Sequence, residues 1–346
     1  MINLTDYGFI PNMVSEDIKN IPARVTAAHK DRYELVCEHG QIYAKLKTSV
    51  YYNDGRENFP TTGDFVIVNY IPAGDSMIVK TLERRSLFSR LEPGPIPCEQ
   101  AVAANFDYVF IMASLNNDFN IRRIERYLTL ARQSGGIPVV ILTKSDLVDD
   151  FSEQIKEIEN IAAGTAVCAV SAVTGFGIDS LAEYLKAGKT IAFLGSSGVG
   201  KSSLLNALAG VDIMAVNVTR NVDASKGRHT TTHRQLIMLE NEVMIIDTPG
   251  MREIGMVDES DGLSGTFADV EQYLGRCKFS NCKHESEPGC AVKSALNSGE
   301  LSHKRWESYL RLNSEIAGSK KRLASKTPSK NGKRIKERGG RVYDEE

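Results

Sequence analysis

Gly195-Ser196-Ser197-Gly198-Val199-Gly200-Lys201-Ser202 stands between an apolar run, Thr190-Ile191-Ala192-Phe193-Leu194, and a helix-forming one, Ser203-Leu204-Leu205-Asn206-Ala207-Leu208. The pattern G-x-x-x-x-G-K-S between a strand and a helix reads as a phosphate-binding loop. Its glycines let the backbone curl until successive N–H groups point at phosphate oxygens, and the helix N-terminus adds a favourable dipole. Lys201 would bridge the β- and γ-phosphates, the Ser202 hydroxyl would hold Mg²⁺, and Ser203 would extend the loop into the helix.

Upstream of this loop, strands and helices alternate. Strands are expected at 107–113, 137–142 and 166–170, and helices at 121–133, 151–162 and 178–185; downstream, 236–239 and 243–246 form a last strand pair. Such alternation implies an α/β sheet with helices on both faces and ligand-binding loops at the C-terminal strand ends. The motifs fall in those loops. Thr143-Lys144-Ser145-Asp146 follows one strand. The Asp146 carboxylate can accept from guanine N1–H and the exocyclic amine, a donor pair adenine lacks, while Lys144 can lay its stem along the base. Ser171-Ala172 follows the next strand, where a backbone N–H can reach guanine O6. Asp247-Thr248-Pro249-Gly250 follows the last strand. Asp247 would hold Mg²⁺ through its shell, and the Gly250 N–H would contact the γ-phosphate. Between these motifs lies Gly227-Arg228-His229-Thr230-Thr231-Thr232-His233-Arg234, a polar segment in which Thr231 or Thr232 would complete the Mg²⁺ shell.

These are the parts of a Ras-like GTPase in another order: 143–146 and 171–172 precede 195–202, and 247–250 comes last. The arrangement resembles a circularly permuted GTPase, whose sheet can be rebuilt because chain ends in such domains lie close together. A Ras-like protein orients the attacking water with a glutamine after D-x-x-G; here Met251 occupies that position. Either His229 or His233 positions the water once a partner orders the loop, His229 being the catalytic candidate beside Lys201, or the partner supplies the missing group. Both readings predict slow turnover by the isolated protein.

Beyond the sheet, Cys277-x4-Cys282-x-His284-x5-Cys290 offers three thiolates and an imidazole within fourteen residues, a closed tetrahedral set for structural zinc. The stretch is too small for a core of its own, so zinc there would contribute folding energy directly. Residues 301–316 follow as a helix, with Trp306, Tyr309, Leu310, Leu312 and Ile316 as packing residues and Lys304, Arg305 and Arg311 exposed. At the other end, β-like runs at 24–27, 33–37, 41–46, 65–70 and 77–82, broken by glycine and aspartate, fit a small closed barrel of the OB type. Tyr43, Tyr51, Tyr52 and Phe59 interleave with Lys45, Lys47 and Arg56, a mixture suited to stacking bases and holding phosphates. Residues 84–100 read as a connector that Pro93, Pro95 and Pro97 keep irregular.

The domain plan is therefore 1–95 for the barrel with its connector, 96–258 for the GTPase, 259–318 for the zinc module and 319–346 for a basic disordered tail. The tail explains a hidden charge asymmetry: net charge is −2, but 320–341 carries ten Lys/Arg against Glu337, so the remainder sums to −11. A hydrophobic content of 42% with 25% charged residues suits a globular chain. Met1 to Val14 shows neither a basic lead nor an apolar core of a signal peptide, and no apolar run is long enough for a membrane span. A cytoplasmic monomer without a membrane partner is expected.

Barrel, permuted GTPase and C-x4-C-x-H-x5-C module, in that order, resemble the bacterial small-subunit biogenesis GTPase family known as RsgA or YjeQ, over roughly residues 20 to 318. The G-R-H-T-T-T-H-R segment is especially similar. The resemblance implies a GTPase that turns GTP into GDP and phosphate, binds the small ribosomal subunit and its rRNA during late maturation, and is stimulated by that particle. It also implies rRNA contact by the barrel and the zinc module. Thr143 stands where Asn is common in N-K-x-D, which removes an amide that braces the loop.

Overall fold

Short runs of alternating burial, bent at glycines, close the N-terminal strands into a barrel. The structure, a computed structural model, describes residues 1–14, 20–51, 58–91, 99–116, 119–211, 234–247 and 262–324. Strands β1 (Ile21–Ala28), β2 (Tyr33–Cys37), β3 (Gly40–Leu46), β4 (Phe65–Asn69) and β5 (Ser76–Thr81) pair in the order β1-β2-β3-β5-β4, and β4 returns to β1. This ring is the expected OB-like barrel. Val25, Leu35, Val66, Val68 and Ile78 fill its interior. Phe65 and Ile67, one residue out of step with Val66 and Val68, pack outward against Phe9, Met13 and Val14. Of the aromatics read as a stacking platform, Tyr51 is core: it ends the short helix α1 (Thr48–Tyr51), is 5% exposed, and hydrogen-bonds the Thr81 hydroxyl at 2.8 Å. Tyr43 is exposed beneath the Arg32 guanidinium, 3.7 Å from its ring centre. Tyr52 and Arg56 lie outside the described residues.

The connector differs from expectation. Strands β6 (Leu87–Leu91) and β7 (Glu99–Ala104) form an antiparallel pair, and the proline-containing stretch between them lies outside the described residues. Phe88 stacks on Phe106 at 4.6 Å, which seats the pair against the next domain.

The second unit is a sheet of β8 (Tyr108–Ser114), β9 (Ile137–Thr143), β10 (Ala166–Ala169), β11 (Thr190–Gly195), β12 (Gln235–Met238) and β13 (Met244–Asp247). Its order is β10-β9-β8-β11-β13-β12, parallel except for β12. Strand β12 meets β1 at Gln235 and Ala27, so sheet and barrel are continuous. Every central strand sends alternate residues to opposite faces. Ile111, Val140, Leu194 and Ile246 meet α2 (Ile121–Gln133) and α3 (Ser152–Ile161) on one side; Phe110, Ile141, Phe193 and Ile245 meet α4 (Lys201–Ala209) on the other. The expected helix at 178–185 is a 3-10 turn, Ile178–Leu181, continued by i to i+3 hydrogen bonds through Leu185. The tighter winding puts Leu181 and Tyr184 on one side, where Tyr184 meets Tyr108 and Phe110 edge-on.

The C-terminal helices α5 (Gly262–Thr266), α6 (Ala268–Glu271), α7 (Ala291–Ser298) and α8 (His303–Ala324) share the α2 side of the core through Phe267, Val292, Tyr309 and Ile316. Helix α8 outruns the expected stop at 316 and enters the stretch read as tail. Two readings on it are overturned. Leu310 is 46% exposed, and Arg305 is 7% exposed. Arg305 pairs with Glu125 of α2 at 2.6 Å and Asp269 of α6 at 2.9 Å, and also donates to the Thr266 and Ile161 carbonyls. A sequence window sees arginine as surface; here two facing carboxylates hold it inside. No helix among the described residues is long and apolar enough to cross a membrane.

Arg24 of β1 is fully buried and joins the units. It donates to the Tyr7, Gly63 (3.3 Å) and Asn105 (3.0 Å) carbonyls and to the Thr190 hydroxyl (2.9 Å). Burial pushes its pKa down to about 9, so it remains charged at pH 7. Replacing Arg24 by Leu removes the donor from the Tyr7 and Asn105 carbonyls and the Thr190 hydroxyl, while the Gly63 carbonyl keeps the Asn105 side-chain amide at 3.3 Å. Denaturant melts should show a loss of about 3–5 kcal/mol, because each buried acceptor left without a donor costs about 1–3 kcal/mol.

Candidate functional site

Strand β11 ends at Gly195, and the loop that follows folds back to start α4 at Lys201. A Cβ at Gly195 would lie 3.0 Å from Val199 Cγ1 and 3.1 Å from the Met112 Cβ, so a larger residue would push the loop and β8 apart by a few tenths of an ångström. Gly200 has φ of +105° and caps α4, while its carbonyl accepts from Leu204 N–H. Ser197, Gly198, Ser202 and Ser203 face solvent, Ser196 and Val199 are buried, and Lys201 Nζ bonds the Gly195 carbonyl at 3.1 Å. The lysine thus lies folded over its own loop, where an incoming phosphate would meet it.

The loop after β9, where a guanine contact is expected, is tied to this phosphate loop. Thr143, the last residue of β9, donates from Oγ1 to the Val199 carbonyl at 2.6 Å, and Lys144 Nζ donates to the Gly198 carbonyl at 2.8 Å. Thr143, which lacks the amide that braces N-K-x-D, offers instead a hydroxyl that spans to the phosphate loop. Lys144 takes φ of +60°, which turns Ser145 inward and Asp146 outward. The Ser171 hydroxyl donates to Asp146 Oδ1 at 2.5 Å and accepts from the Val173 and Thr174 N–H groups. Ser171 therefore orients the carboxylate, leaving Asp146 Oδ2 for a ligand. Ala172 lies half-buried beside it. The sequence offered Ser171-Ala172 only for its backbone; the hydroxyl was the signal for this second role.

Asp247 closes β13, next to β11 in the sheet, and is half-buried. Burial raises its carboxyl above the usual carboxylate range, an effect that the Lys201 ammonium partly offsets. The two groups therefore share one end of the sheet with opposite charge, as a site for phosphate and a divalent cation requires. His229, Thr231, Thr232, His233, Gly250 and Met251 lie outside the described residues.

Some distance along the chain, the ligand atoms of Cys277, Cys282, His284 and Cys290 lie within 4.8 Å of one another. The Cys277 and Cys290 sulfurs are 3.8 Å apart, and His284 Nδ1 lies 3.5, 3.7 and 3.4 Å from Cys277, Cys282 and Cys290. An ion about 2.3 Å from sulfur and about 2.0 Å from nitrogen, at tetrahedral angles, demands roughly 3.8 Å between sulfurs and roughly 3.5 Å from sulfur to nitrogen. The Cys277–Cys290 separation and the three to His284 match those values, so the four residues suit one metal ion. His284 takes φ of +64° to turn its ring inward, where Trp306 of α8 meets it edge-on at 5.7 Å. Cys290 also caps α7.

Comparison with known proteins agrees with this geometry. The family model described as RsgA GTPase matches residues 81–257. A small ribosomal subunit biogenesis GTPase, RsgA 1 of Listeria innocua, is 44% identical over 316 residues, covering 91% of this chain and 89% of its own length. RsgA of Methanosarcina acetivorans is 39% identical over 303 residues, covering 87% and 81%. Among solved structures, YjeQ from Thermotoga maritima matches with a TM-score of 0.63 at 28% identity, covering 86% of this chain and 99% of its own. YloQ, described as a circularly permuted GTPase, matches with a TM-score of 0.59 at 25% identity, covering 88% and 98%.

Two measurements check the site. The folded state holds a proton on Asp247 more tightly than the unfolded chain does. Its charge therefore costs the nucleotide-free protein stability at neutral pH, and the cost fades as pH falls through the raised pKa. Asp247→Asn should raise the thermal midpoint of the empty protein at pH 7 by about 2–4 °C, and the gain should shrink in acid. Cys282→Ser should lower metal affinity by about 3 kcal/mol, a quarter of what a structural tetrahedral site supplies. A variant that keeps its metal against a chelator as well as wild type does would contradict the four-ligand assignment.

Proposed function

This chain belongs to the RsgA family of circularly permuted GTPases, enzymes of ribosome biogenesis, and from that membership we propose a GTP switch that assists late maturation of the small ribosomal subunit. The observation that carries the reading is the junction of two loops: Thr143 and Lys144 bond the backbone of Val199 and Gly198. Base recognition and phosphate grip are thereby one rigid unit.

In this reading Asp146, held by Ser171, selects guanine, and Ser145 and Ala172 complete the rim around the base. The N–H groups of 195–203 and Lys201 neutralise the phosphates. Ser202 and Asp247 would hold Mg²⁺ with Thr231 or Thr232, and the Gly250 N–H would meet the γ-phosphate. When bound there, Mg²⁺ would supply charge neutralisation for the transferring phosphoryl group. No water-orienting glutamine stands at Met251, so the isolated protein turns over slowly. The particle accelerates it by ordering His229 or by contributing its own group. The thiolate-rich Cys277, Cys282, His284, Cys290 set favours zinc in a structural role, since all four positions are filled by protein. The relatives are named for small-subunit biogenesis, and the barrel and metal module are the surfaces proposed to meet rRNA. The protein acts in the cytoplasm as a monomer.

The deciding measurement is GTP turnover by the metal-loaded protein alone, then with small subunits, large subunits and naked rRNA. Stimulation of ~10-fold or more by small subunits only is expected, since groups supplied by a partner routinely give larger factors. Equal rates in all four mixtures would overturn the ribosomal reading. Asp146→Asn should shift preference from guanine toward xanthine nucleotides by about 1–3 kcal/mol, the scale of a bidentate base contact.

A further inference from the structure

Residues 61–64, the turn that enters β4, stand as a post between the barrel and the second unit. The Asp64 carboxylate is fully buried, takes the Arg84 guanidinium at 2.8 Å through both oxygens, and accepts from the Thr61 N–H at 2.8 Å. Gly63 N–H donates to the Val25 carbonyl at 2.9 Å, and Val25 N–H donates to the Asp64 carbonyl at 2.8 Å, which locks the turn to β1. On its other side the Thr61 hydroxyl donates to the Val102 carbonyl at 3.1 Å, and Ala104 N–H donates to the Thr62 carbonyl at 3.0 Å, which locks it to β7. Gly63 has φ of +94°, and a Cβ there would lie 2.1 Å from the Ala104 carbonyl oxygen and 3.0 Å from Ile246 Cδ1. The turn thus lies against β13 one residue before Asp247, an approach that needs glycine.

From this post one side chain crosses to the hairpin that carries Asp247. Thr62 is fully buried, and its hydroxyl donates to the Arg234 carbonyl at 3.1 Å. The next residue, Gln235, opens β12 and pairs with Ala27 of β1 on one edge and with Asp247 of β13 on the other. Because β12 starts and β13 ends there, Gln235–Asp247 is the last rung at the open end of the hairpin. Terminal rungs are the first to fray. This one is held from outside, by Thr62 on the residue before it and by Ala27 beside it. A carboxylate that binds a cation has to be held within about 0.5 Å of its working position, so fraying of this rung would weaken the cation's grip.

We propose that Thr62 is a positioning residue for the nucleotide-bound cation: its hydroxyl fixes Arg234, Arg234 fixes the Gln235–Asp247 rung, and the rung sets the Asp247 carboxylate. The proposal rests on the reading of Asp247 as a Mg²⁺ residue. It gives the barrel a second task, as the outer support of the hydrolytic site.

The test follows binding of a fluorescent, non-hydrolysable GTP analogue to the full metal-loaded chain as Mg²⁺ is added to a Mg²⁺-free buffer. No chelator is used, so that the metal module keeps its ion. Thr62→Ala and Thr62→Val remove the hydroxyl, and Thr62→Ser keeps it. Two apolar variants are needed because the valine methyl lies where the hydroxyl meets the carbonyl, whereas alanine leaves that space open. Mg²⁺ should tighten binding to wild type and to Thr62→Ser. In the two apolar variants that gain should shrink about fivefold, the net contribution of one hydrogen bond, while affinity without Mg²⁺ stays unchanged. An undiminished gain in both apolar variants overturns the proposal. So does an equal loss with and without Mg²⁺, which assigns Thr62 to the fold alone. Asp247→Asn is measured beside them. If it loses the gain while the Thr62 variants keep theirs, the Asp247 reading stands and this proposal fails. If it keeps the gain, the Asp247 reading fails and takes the proposal with it.

Discussion

Parallel pairing of β11 with both β8 and β13 is the constraint on which the rest depends. Residues 191–195 lie beside 108–112 on one edge, and 190–192 lie beside 244–246 on the other. The first pairing rejoins the two portions that permutation places in reversed order along the chain. Strands β9, β10, β11 and β13 then end at the same side of the sheet, and their loops meet there. Chain order is irrelevant to that convergence. What matters is that each strand buries both faces in a continuous apolar layer, which a parallel strand must do.

The units around this sheet are held by buried arginines. Arg24 gathers carbonyls from the N-terminal lead, the barrel and the β7–β8 junction, and takes the Thr190 hydroxyl at the base of β11. Arg305 joins α8 to α2 and α6 and lies over the Phe267 ring at 4.1 Å. Buried ions of this kind add little net stability when the whole paired set is exchanged for apolar residues, although removing one member strands the rest. They do fix one docking geometry, because any shift leaves a charge unpaired. The metal-binding module is thus positioned from both ends: its ligands are set by the tetrahedron, and the helix that covers His284 is set by Arg305.

A site assembled from rigid parts suits a switch. The loop proposed to read guanine is bonded to the phosphate loop through Thr143 and Lys144, and Asp146 is aimed by Ser171. Binding the base therefore need not order these groups first. The strained element is electrostatic: Asp247 is buried enough to raise its pKa, and Lys201 only partly offsets this. Such a carboxylate gains most when a cation and phosphates arrive, which couples ligand binding to stability.

Much of this was legible in the sequence, where local spacing carries the information. The phosphate loop, the C-x4-C-x-H-x5-C set and the period-two strands each declare themselves because their chemistry is confined to a few consecutive residues. The order of the GTPase motifs sufficed to read the permutation. Contacts between distant segments were not legible. Arg305 reads as surface because nothing near it in sequence reveals Glu125, 180 positions away; Tyr51 reads as a base platform because its burial depends on barrel closure. The proline-rich connector hid the β6–β7 pair, since pairing is a property of two strands and a window sees one. Thr143 reads as a loss until the fold brings the Val199 carbonyl to its hydroxyl. Sequence determined which chemistry the chain carries, because residue types and short spacings set donors, acceptors and charge. Tertiary structure alone decided which of those groups are buried and paired, because burial and hydrogen bonding are set by neighbours that only folding supplies.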